Sequence, residues 1–525
     1  MQNKIFIVFV IMAASTVGLF AEEGFQLLAT IRGESPGDAF SEVCGLGDIN
    51  QDGYDDFAVG AWEGTNGGNY VKIYFGGSTL DTLADLRLTG GSYFGWSMDS
   101  GDFNGDGIPD LMVSAPYTNN FTGQVCIYWG GENIDAEPDI VINGTRWNGF
   151  FGEDVANGGD VNGDGYEDFI IGEGTRWETC GYLYIFFGGP AVDDIWDYCI
   201  QGAPFDQIGR SCDGIGDINQ DGYDDIIVGG LPPSEVKIQR VYIVYGSSIL
   251  NDSSIIEIVG DSTDAGFGRY VSGIGDIDSD SIPDFLISSK TTDQNHNGII
   301  NIYSGSSSEP TYRFIGFNKN GGIQPVCSNI DINKDNINDL LVGYGDGNSL
   351  YSGRILCYLG SSKFDTIPDY VLQGNIQHQY FGFSISEIGN FNDDSDTEII
   401  VGQLGRYFYN DSPSELTYGK VFIYSFGTLT KIKEEINHQN FYLKQNCPNP
   451  FNANTMIEFA LDKAGNVELS VWDIGGRLVR TLERSYLPSG KLRYRFEAQN
   501  LPSGIYLLRL CFDGKILQRK MVCLK

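Results

Sequence analysis

Short apolar runs alternate with polar turns along most of the chain, and one series of such runs returns at a nearly constant interval. Each unit has an apolar run such as DFAVGA (56–61), an alternating run such as YVKIYFGGS (70–78) and a shorter run such as DLRLTGG (85–91). Several units open on an aromatic-glycine pair, for example Phe94-Gly95. Runs of this length between glycine-rich turns are typical of β-strands. The pattern predicts an all-β fold with four strands per unit.

An acidic phrase marks each unit and sets the period of the repeat. GDINQDGYDDFAVGA begins at Gly47 and returns with variations six times; the last copy, GNFNDDSDTEIIVGQ, is the most divergent. The first loop positions are separated by 54, 58, 57, 59, 55 and 59 residues, and they are Asp48, Asp102, Asp160, Asp217, Asp276, Asp331 and Asn390. A period in this range indicates a repeat fold, and four strands are the content of a propeller blade.

The strand count predicts how a ring of such units closes. The final unit ends after its third strand at Gly427, and the missing fourth-type strand occurs at the start of the chain, as FQLLATIRGE from Phe25. We therefore predict a seven-bladed β-propeller whose last blade takes its outer strand from the N-terminal segment, which leaves no open edge. An open solenoid is the alternative, but it would not need this permuted strand.

The acidic loops have the donor spacing of a calcium site. In D-x-[DN]-x-D-G-x-x-D, side-chain oxygens at positions one, three, five and nine can converge with a main-chain carbonyl at position seven, and glycine permits the sharp turn. The predicted ligands are Asp48, Asn50, Asp52, Asp56, Asp102, Asn104, Asp106, Asp110, Asp160, Asn162, Asp164, Asp168, Asp217, Asn219, Asp221, Asp225, Asp276, Asp278, Asp280, Asp284, Asp331, Asn333, Asp335 and Asp339.

The alternative for these loops is a set of polar hairpin turns without metal. A turn needs only Asp-Gly, whereas additional carboxylates at fixed offsets repel one another unless a cation neutralises them. We expect about five or six structural calcium ions. Ser281 and Asn336 replace the glycine in two loops, and we expect the Ser281 loop to bind more weakly. The seventh loop offers Asn390, Asn392, Asp394 and Glu398, for which weak or no binding is expected.

Charge and the first residues limit where the protein works and what it binds. The chain of 525 residues has 33 basic and 70 acidic residues, a net charge of −37. This charge repels nucleic acid and anionic lipid surfaces, so no nucleic-acid partner is expected.

Residues 1–21 contain an apolar run, Ile5 to Phe20, followed by Ala21, and they predict a cleaved signal peptide. A membrane anchor is the alternative, but the run is shorter than a spanning helix needs, so no transmembrane segment is expected in the mature chain.

The aromatic-glycine openings, the acidic loops and the small-residue endings (VGA, VSAP) resemble FG-GAP repeats, the propeller units of integrin alpha chains. The resemblance covers about residues 25–427, within a predicted propeller domain of residues 22–427. It implies calcium loops at one rim and a binding surface on the opposite face. The sequence contains no inserted metal-dependent adhesion domain and no Arg-Gly-Asp; the nearest string is Arg32-Gly33-Glu34. The ligand specificity of integrins is therefore not expected of this chain.

The last segment has a different character. Residues 428–440 form a polar linker, and residues 441–525 carry 13 basic and 7 acidic residues, a net of +6. Short alternating runs between turns such as Pro488-Ser489-Gly490 predict a small immunoglobulin-like β-sandwich. Four stretches of this segment resemble the type A C-terminal sorting domain of bacterial type IX secretion cargo. They are QNCPNPFNANTMIEFAL, WDIGGRLVRTL, LPSGIYLLRL and KMVCLK. This resemblance implies export by that machinery to the outside or surface of a bacterium; an ordinary adhesive sandwich module is the alternative.

Two function classes remain from the sequence. The first is a secreted or cell-surface calcium-binding propeller acting as a binding or adhesion module for a protein or glycan. The loops WEGTNGGNY, YTNNFTG and TRWETCGY offer aromatic and amide groups suited to sugars, and packing of these aromatics between blades is the favoured alternative. The second is a hydrolase or lyase with a site on the propeller axis. No catalytic residues are assigned, since His296, His378 and His438 are widely spaced and no nucleophile elbow is present. Cys44, Cys126, Cys212, Cys327 and Cys357 are expected to be small buried apolar side chains, and a disulfide between Cys180 and Cys199 is an open alternative.

Overall fold

The computed structural model divides the chain into two compact units, Met1–Thr428 and Leu429–Lys525. The residues that the structure describes are 24–63, 68–78, 82–175, 180–230, 239–261, 264–291, 298–315, 323–344, 353–366, 368–374, 380–392, 396–405, 418–426, 442–444, 446, 449, 451–452, 454–461, 465–473, 477–487, 490–498, 501–512 and 515–524. The predicted signal peptide and linker lie outside these residues. Among the described residues, no helix has the length and apolar character needed to cross a membrane.

The first unit consists of antiparallel sheets of four or five strands, and the described residues form seven of them. Two short helical turns, Thr118–Phe121 and Asp252–Ser254, lie between strands. In chain order the strands are β1 Phe25–Arg32, β2 Phe40–Gly47, β3 Asp56–Ala61, β4 Tyr70–Tyr74, β5 Leu86–Thr89, β6 Met98–Gly101, β7 Asp110–Ser114, β8 Gln124–Tyr128, β9 Ile140–Asn143, β10 Phe151–Gly159, β11 Asp168–Glu173, β12 Tyr182–Phe186, β13 Tyr198–Gln201, β14 Ile208–Gly216, β15 Asp225–Gly230, β16 Arg240–Val244, β17 Ile255–Val259, β18 Asp264–Ala265, β19 Val271–Gly275, β20 Asp284–Thr291, β21 Gly298–Ser304, β22 Tyr312–Ile315, β23 Ile323–Ile330, β24 Asp339–Tyr344, β25 Arg354–Tyr358, β26 Tyr370–Gln373, β27 Tyr380–Gly389, β28 Thr397–Leu404 and β29 Lys420–Phe426.

Each sheet is an antiparallel meander that begins with the strand before an acidic loop. The first sheet has the order β2-β3-β4-β5, and the same order of strand types recurs in the following sheets. The last sheet has the order β1-β29-β28-β27, in which β1 pairs antiparallel with β29 from Phe25↔Phe426 to Arg32↔Lys420. The N-terminal strand therefore completes the last sheet, as the strand count predicted.

The first strands of neighbouring sheets lie side by side around an axis. β2 contacts β6 and β27, β10 contacts β6 and β14, and β19 contacts β14 and β23, which in turn contacts β27. The approach is close: a Cβ on Gly45 of β2 would lie 1.9 Å from the carbonyl oxygen of Glu387 on β27. Only glycine allows two backbones to come so near. The β-propeller class is confirmed, and the blade count stays a prediction of the seven repeats.

The core of the first unit lies between adjacent sheets. The strand after each acidic loop is buried along its length, as in DFAVGA, because both of its faces are covered. Phe57 stacks on Tyr74 of its own sheet at 4.8 Å and packs at a tilt of 56° against Phe391, which follows β27 of the last sheet, at 5.0 Å. Each core cluster is shared by two neighbouring sheets, so every unit of the repeat depends on its neighbours for burial of apolar surface.

The second unit packs two antiparallel sheets over one core. Its sheets have the orders β30-β31-β34 and β33-β32-β35-β36. Ile457 and Phe459 of one sheet and Leu469 and Leu508 of the other are buried in a common cluster, the arrangement of a β-sandwich. The strands are β30 Tyr442–Leu443, β31 Asn454–Leu461, β32 Gly465–Asp473, β33 Leu478–Leu487, β34 Gly490–Glu497, β35 Gly504–Phe512 and β36 Lys515–Cys523.

Candidate calcium loops and axial cavity

The acidic loops fold around their own side-chain oxygens. In the first loop, Asp48 accepts from the backbone N–H of Asp52 through Oδ1 and from that of Gly53 through Oδ2, both at 2.9 Å. Asn50 Oδ1 accepts from the Asp52 N–H at 2.8 Å, so positions one and three point into the same turn. Gly53 has φ +95°, which explains the preference for glycine at position six. The position-one carboxylate makes the same pair of bonds in five further loops, through Asp102, Asp160, Asp217, Asp276 and Asp331.

The position-nine aspartates lie at the buried base of their loops. Asp56 Oδ2 accepts from the N–H of Ile49 at 3.0 Å, and Oδ1 accepts from that of Gly76 at 2.7 Å, so it ties the loop to the turn after the third strand. Burial raises the pKa of the Asp56 carboxyl to about 7. The same paired bonds and the same pKa of about 7 recur at Asp110, Asp168, Asp225 and Asp339. This anchoring role was not evident from the spacing.

The fifth loop brings three carboxylates together. Oxygens of Asp276, Asp278 and Asp284 all lie within 4.8 Å of one another, the one such group found among the described residues. Asp278 Oδ1 and Asp284 Oδ1 are buried without a hydrogen-bond partner in the described part of the chain. Unpartnered buried carboxylate oxygens are costly unless a cation takes them, and a set of hard oxygens suits calcium. Asp280 Oδ1 accepts from the Ile282 N–H at 2.9 Å, as position five does in the other loops, and its Oδ2 accepts from the Ser304 hydroxyl at 3.1 Å.

In the other predicted loops, position three is Asn, so the structure groups amide and carboxylate oxygens rather than three carboxylates. The seventh loop is described in part: Glu398 is fully buried, and Asp394 lies outside the described residues.

The acidic residue at position eight of a loop links that loop to a neighbouring loop. Asp55 Oδ2 accepts from the Asn390 N–H at 2.6 Å, and Glu167 and Asp224 make the equivalent bonds at 2.9 Å to Asp102 and Asp160. These position-eight acids were missed because their partners are 64 or more residues away.

A cavity of about 1170 Å³ follows the axis between the first strands. Seven carboxylates line it, Glu153 and Asp224 among them; the other five come from five sheets and are Glu42, Asp99, Asp154, Asp213 and Glu387. Burial raises the pKa of each of these five, to about 8 for Glu42 and Asp213, about 7 for Asp154 and Glu387, and about 6 for Asp99. Neighbouring carboxylates raise the pKa values further, as Asp99 does for Asp213.

Hydroxyl groups from the next sheet hold these cavity carboxylates in place. The Ser97 hydroxyl donates to Asp154 at 2.9 Å, the Ser272 hydroxyl to Asp213 at 2.8 Å and the Ser384 hydroxyl to Glu42 at 3.1 Å. Ser97 and Ser384 follow aromatic-glycine pairs, so these serines serve the cavity lining. The carboxylates are therefore fixed in position by rigid strands.

Aromatic side chains surround the end of the cavity that faces away from the acidic loops. Trp62 follows the end of β3, and Phe383 lies early in β27, both distant along their strands from the loops. Trp62 contacts Trp96 at 4.9 Å and Phe383 at 6.4 Å between ring centroids. Arg210 and Arg269 also line the cavity. We call Trp62, Trp96, Tyr380 and Phe383 the aromatic mouth.

The loops expected to contact a ligand are only partly exposed. Tyr117 of YTNNFTG stacks on Tyr93 at 4.1 Å and packs edge-on against Phe150 at 5.2 Å, whereas Phe121 is 41% exposed. Parts of the loops WEGTNGGNY and TRWETCGY lie outside the described residues. His296, His378 and His438 all lie outside them. The more exposed ring, Trp147 at 75%, was missed because a single tryptophan carries no periodic signal.

Cys180 and Cys199 are free thiols in the structure, so the alternative of a disulfide between them is not realised. Cys44, Cys126, Cys212 and Cys357 are buried thiols, in line with their expected role as small apolar side chains.

Comparison with known proteins supports both sequence resemblances. Residues 94–128 match the FG-GAP repeat, and residues 447–524 match the secretion system C-terminal sorting domain. The chain carries both modules. A sorting domain of this family implies export to the outside or surface of a bacterium.

Curated relatives of the repeat region are integrin alpha chains. Integrin alpha-5 of Xenopus laevis is 30% identical over 235 residues, which cover 42% of this chain and 22% of that relative. Integrin alpha-PS2 of Drosophila melanogaster is 30% identical over 239 residues, covering 41% and 16%. Human integrin alpha-7 is 32% identical over 216 residues, covering 39% and 13%. This chain therefore spans less than a quarter of the length of each of these relatives.

Proposed function

We propose that the protein is a calcium-stabilised propeller that binds an extracellular protein or glycan after export by a type IX secretion system. The axial cavity with its aromatic mouth is the observation that carries the binding role. A concave site with aromatic walls and a few fixed polar groups is the usual form of a ligand site. The cavity extends from the aromatic mouth to residues beside the acidic loops, among them Gly159, Gly216 and Asp224.

The chemistry of the cavity suits a ligand with hydroxyl or ammonium groups. Aromatic rings offer flat apolar surface and a negative face that attracts cations. The carboxylates accept hydrogen bonds from hydroxyls, and their mutual repulsion falls when a donor or a positive charge approaches. Because the lining residues belong to strands packed on both sides, little conformational entropy is lost on binding.

Calcium fits the acidic loops and would supply structural cross-linking there. The side chains at positions one, three, five and nine of the six predicted loops would hold the ions, and in the fifth loop the unpartnered oxygens belong to Asp278 at position three and Asp284 at position nine. At affinities typical of extracellular modules, each filled site adds on the order of 1 kcal/mol to the free energy of unfolding.

The domain limits proposed are 1–21 for the signal peptide, 22–427 for the propeller, 428–440 for the linker and 441–525 for the sorting domain.

Retention on glycan arrays and on immobilised extracellular proteins tests the binding role. We expect residues 22–525 to bind in calcium, and Trp96→Ala, which removes one ring of the mouth, to weaken binding at least tenfold. Trp147→Ala is the matched control, because Trp147 is exposed and outside the cavity lining. Binding that survives Trp96→Ala and is lost in Trp147→Ala would move the site away from the cavity.

A hydrolase or lyase on the same axis is the second candidate function. Its support is the set of raised pKa values, about 8 for Glu42 and Asp213, because a carboxyl that keeps its proton near neutral pH can act as a general acid. Polysaccharide turnover that is abolished by Glu42→Gln or Asp213→Asn would establish it. Retention of the same glycans without turnover would reject it.

A further inference from the structure

Five carboxylates of the axial cavity have no positively charged partner in the described part of the chain. None of them forms an ion pair with a described Lys or Arg, although Lys334 attracts Glu387 without pairing with it. Their donors are neutral, as at Asp154, which accepts from the Ser97 hydroxyl at 2.9 Å and the Cys212 N–H at 3.0 Å. Carboxylates enclosed by protein usually lie beside a positive charge. The five are Glu42, Asp99, Asp154, Asp213 and Glu387.

The five cavity carboxylates also repel one another without forming a metal site. Burial is the largest cause of their raised pKa values, and repulsion adds to it, since Asp99 raises the pKa of both Asp154 and Asp213. No three of their oxygens come within 4.8 Å of one another, because the one such group among the described residues is in the fifth acidic loop. Negative charge spread in this way is suited to several positive charges on one molecule rather than to a single ion.

The cavity carboxylates are staggered along the axis. Glu42 and Asp154 lie six residues before position one of their acidic loops, and Asp213 lies four residues before it. Asp99 and Glu387 lie three residues before it. Because a strand rises about 3.3 Å per residue, the group extends over about 10 Å, which is the length of about three residues of an extended peptide.

The aromatic mouth leads into this stretch of the cavity. Trp96 precedes Asp99 by three residues, so its ring lies closer to the mouth than that carboxylate does. Aromatic faces attract ammonium groups, and they also contact the alkyl part of a lysine side chain. Arg210 and Arg269 are the cations among the described lining residues, and Arg210 precedes Asp213 by three residues. The deeper part of the cavity is therefore lined by carboxylates without described Lys or Arg.

We propose that the ligand of the axial cavity is a protein, and that it enters the cavity as an extended segment with two or more lysine ammonium groups. The ammonium groups would donate to the cavity carboxylates and offset their repulsion. A glycan with acidic groups would be repelled, and a neutral glycan would leave the five carboxylates without counter-charge. Complementary charge also raises the rate of association. The proposal rests on the proposed binding role of the cavity.

Calorimetric titration of residues 22–525 with hexalysine tests the proposal. Saturating calcium keeps the acidic loops occupied, and salt at about 150 mM screens the outer surface. We expect one peptide to bind per chain. The same peptide with acetylated lysines carries no positive side chains, and we expect it to bind at least tenfold more weakly. Equal binding of the two peptides would overturn the proposal.

Two double variants with the same net charge separate the cavity from the rest of the acidic surface. Asp154→Asn/Asp213→Asn keeps a side-chain oxygen at each position, and we expect it to weaken hexalysine binding at least tenfold. Asp193→Asn/Asp194→Asn removes two exposed carboxylates outside the cavity lining, and we expect it to bind like the wild-type protein. Thermal unfolding checks the fold of both variants. Equal weakening in the two would assign the binding to general surface charge and overturn the proposal.

Proton release is a readout that a change in fold would not imitate. The pKa values of about 7 for Asp154 and about 8 for Asp213 leave both groups partly protonated at pH 7, and a nearby ammonium group lowers such values. We expect the wild-type protein to release protons on binding hexalysine, measured from the binding heats in Pipes and in Tris buffer. The Asp154→Asn/Asp213→Asn variant is expected to release fewer. Binding without proton release would contradict contact with these carboxylates.

Glycans separate this proposal from the proposed function. Retention of a neutral glycan that Trp96→Ala weakens, without binding of hexalysine, would overturn the lysine assignment and keep the binding role of the cavity. Tighter binding of a glucosamine oligomer than of hexalysine, lost in Asp154→Asn/Asp213→Asn, would assign the ammonium groups to a glycan and overturn the proposal of a protein. No binding of hexalysine or of any arrayed glycan or protein would reject both proposals.

Discussion

Individual residues of the acidic loops divide into two roles that the spacing alone did not separate. Side chains at positions one, three and five accept hydrogen bonds from N–H groups within the turn, because these groups are adjacent in sequence, and their role as calcium ligands stays a prediction. The position-nine aspartate instead anchors the loop through N–H groups that include one 20 residues away in the first loop, at Gly76. The spacing of the motif cannot show that bond. The bond depends on the position of the turn after β4, which brings Gly76 back to the loop.

Substitutions in the first loop distinguish the two roles. Asp56→Ala removes two buried hydrogen-bond acceptors, and we expect it to lower the free energy of unfolding by about 2–4 kcal/mol with or without calcium. Asp52→Ala removes an exposed side chain that accepts from the Tyr54 N–H at 3.0 Å, and we expect a small loss in chelator and a larger loss in calcium. Denaturant unfolding of both variants, with calcium and with chelator, gives these values. Equal losses for Asp52→Ala in the two conditions would contradict its assignment as a ligand.

The cavity carboxylates predict a dependence of stability on pH. The pKa of Glu42 and Asp213 is about 8 in the folded protein, above their ordinary values, so the folded state keeps protons that the unfolded chain has lost. Their contribution to stability is complete below about pH 4 and is lost as pH rises through about 8. In saturating calcium, we expect the melting temperature to fall between pH 5 and pH 9.

Glu42→Gln and Asp213→Asn are the controls for this pH dependence, since neither side chain can then ionise. We expect the double variant to lose less in melting temperature across that range than the wild-type protein, and to keep the part of the slope that comes from Asp154, Glu387 and the position-nine aspartates. A slope unchanged from the wild-type protein would show that other groups cause it.

At the scale of strands, the repeated order of apolar runs and turns in the sequence predicted the order of elements. It also predicted that β1 completes the last sheet, because apolar runs and turns recur in the same order in every repeat. It did not predict how closely the first strands approach each other around the axis. That distance depends on residues from different units, such as Gly45 and Glu387, whose meeting has no signature within either unit.

Gly45 provides a direct test of this packing. A Cβ at this position would lie 1.9 Å from a backbone oxygen, so we expect Gly45→Ala to cost at least about 2 kcal/mol in the free energy of unfolding. Gly77→Ala is the control, because nothing lies within 4 Å of the Cβ it would add. Similar stabilities for the two variants would show that the first strands are less tightly packed than described.

At the scale of the whole molecule, charge divides the chain into an acidic repeat unit and a basic sorting unit. The sequence predicted this division and the repeat unit's fold class. It did not predict the cavity, because five carboxylates at different offsets in five repeats converge only when the ring forms. The acidic loops and the cavity both concentrate negative charge, and the proposed calcium ions in the loops would offset that repulsion.

The central claim is that the acidic loops hold structural calcium, and its most direct test is calcium stoichiometry together with thermal stability of residues 22–525, measured with and without chelator. We predict about five or six bound ions per chain and a large fall in the melting temperature of the repeat unit when calcium is removed. Little bound metal and an unchanged melting temperature would contradict this account, and would show that the loops are turns held by their own hydrogen bonds.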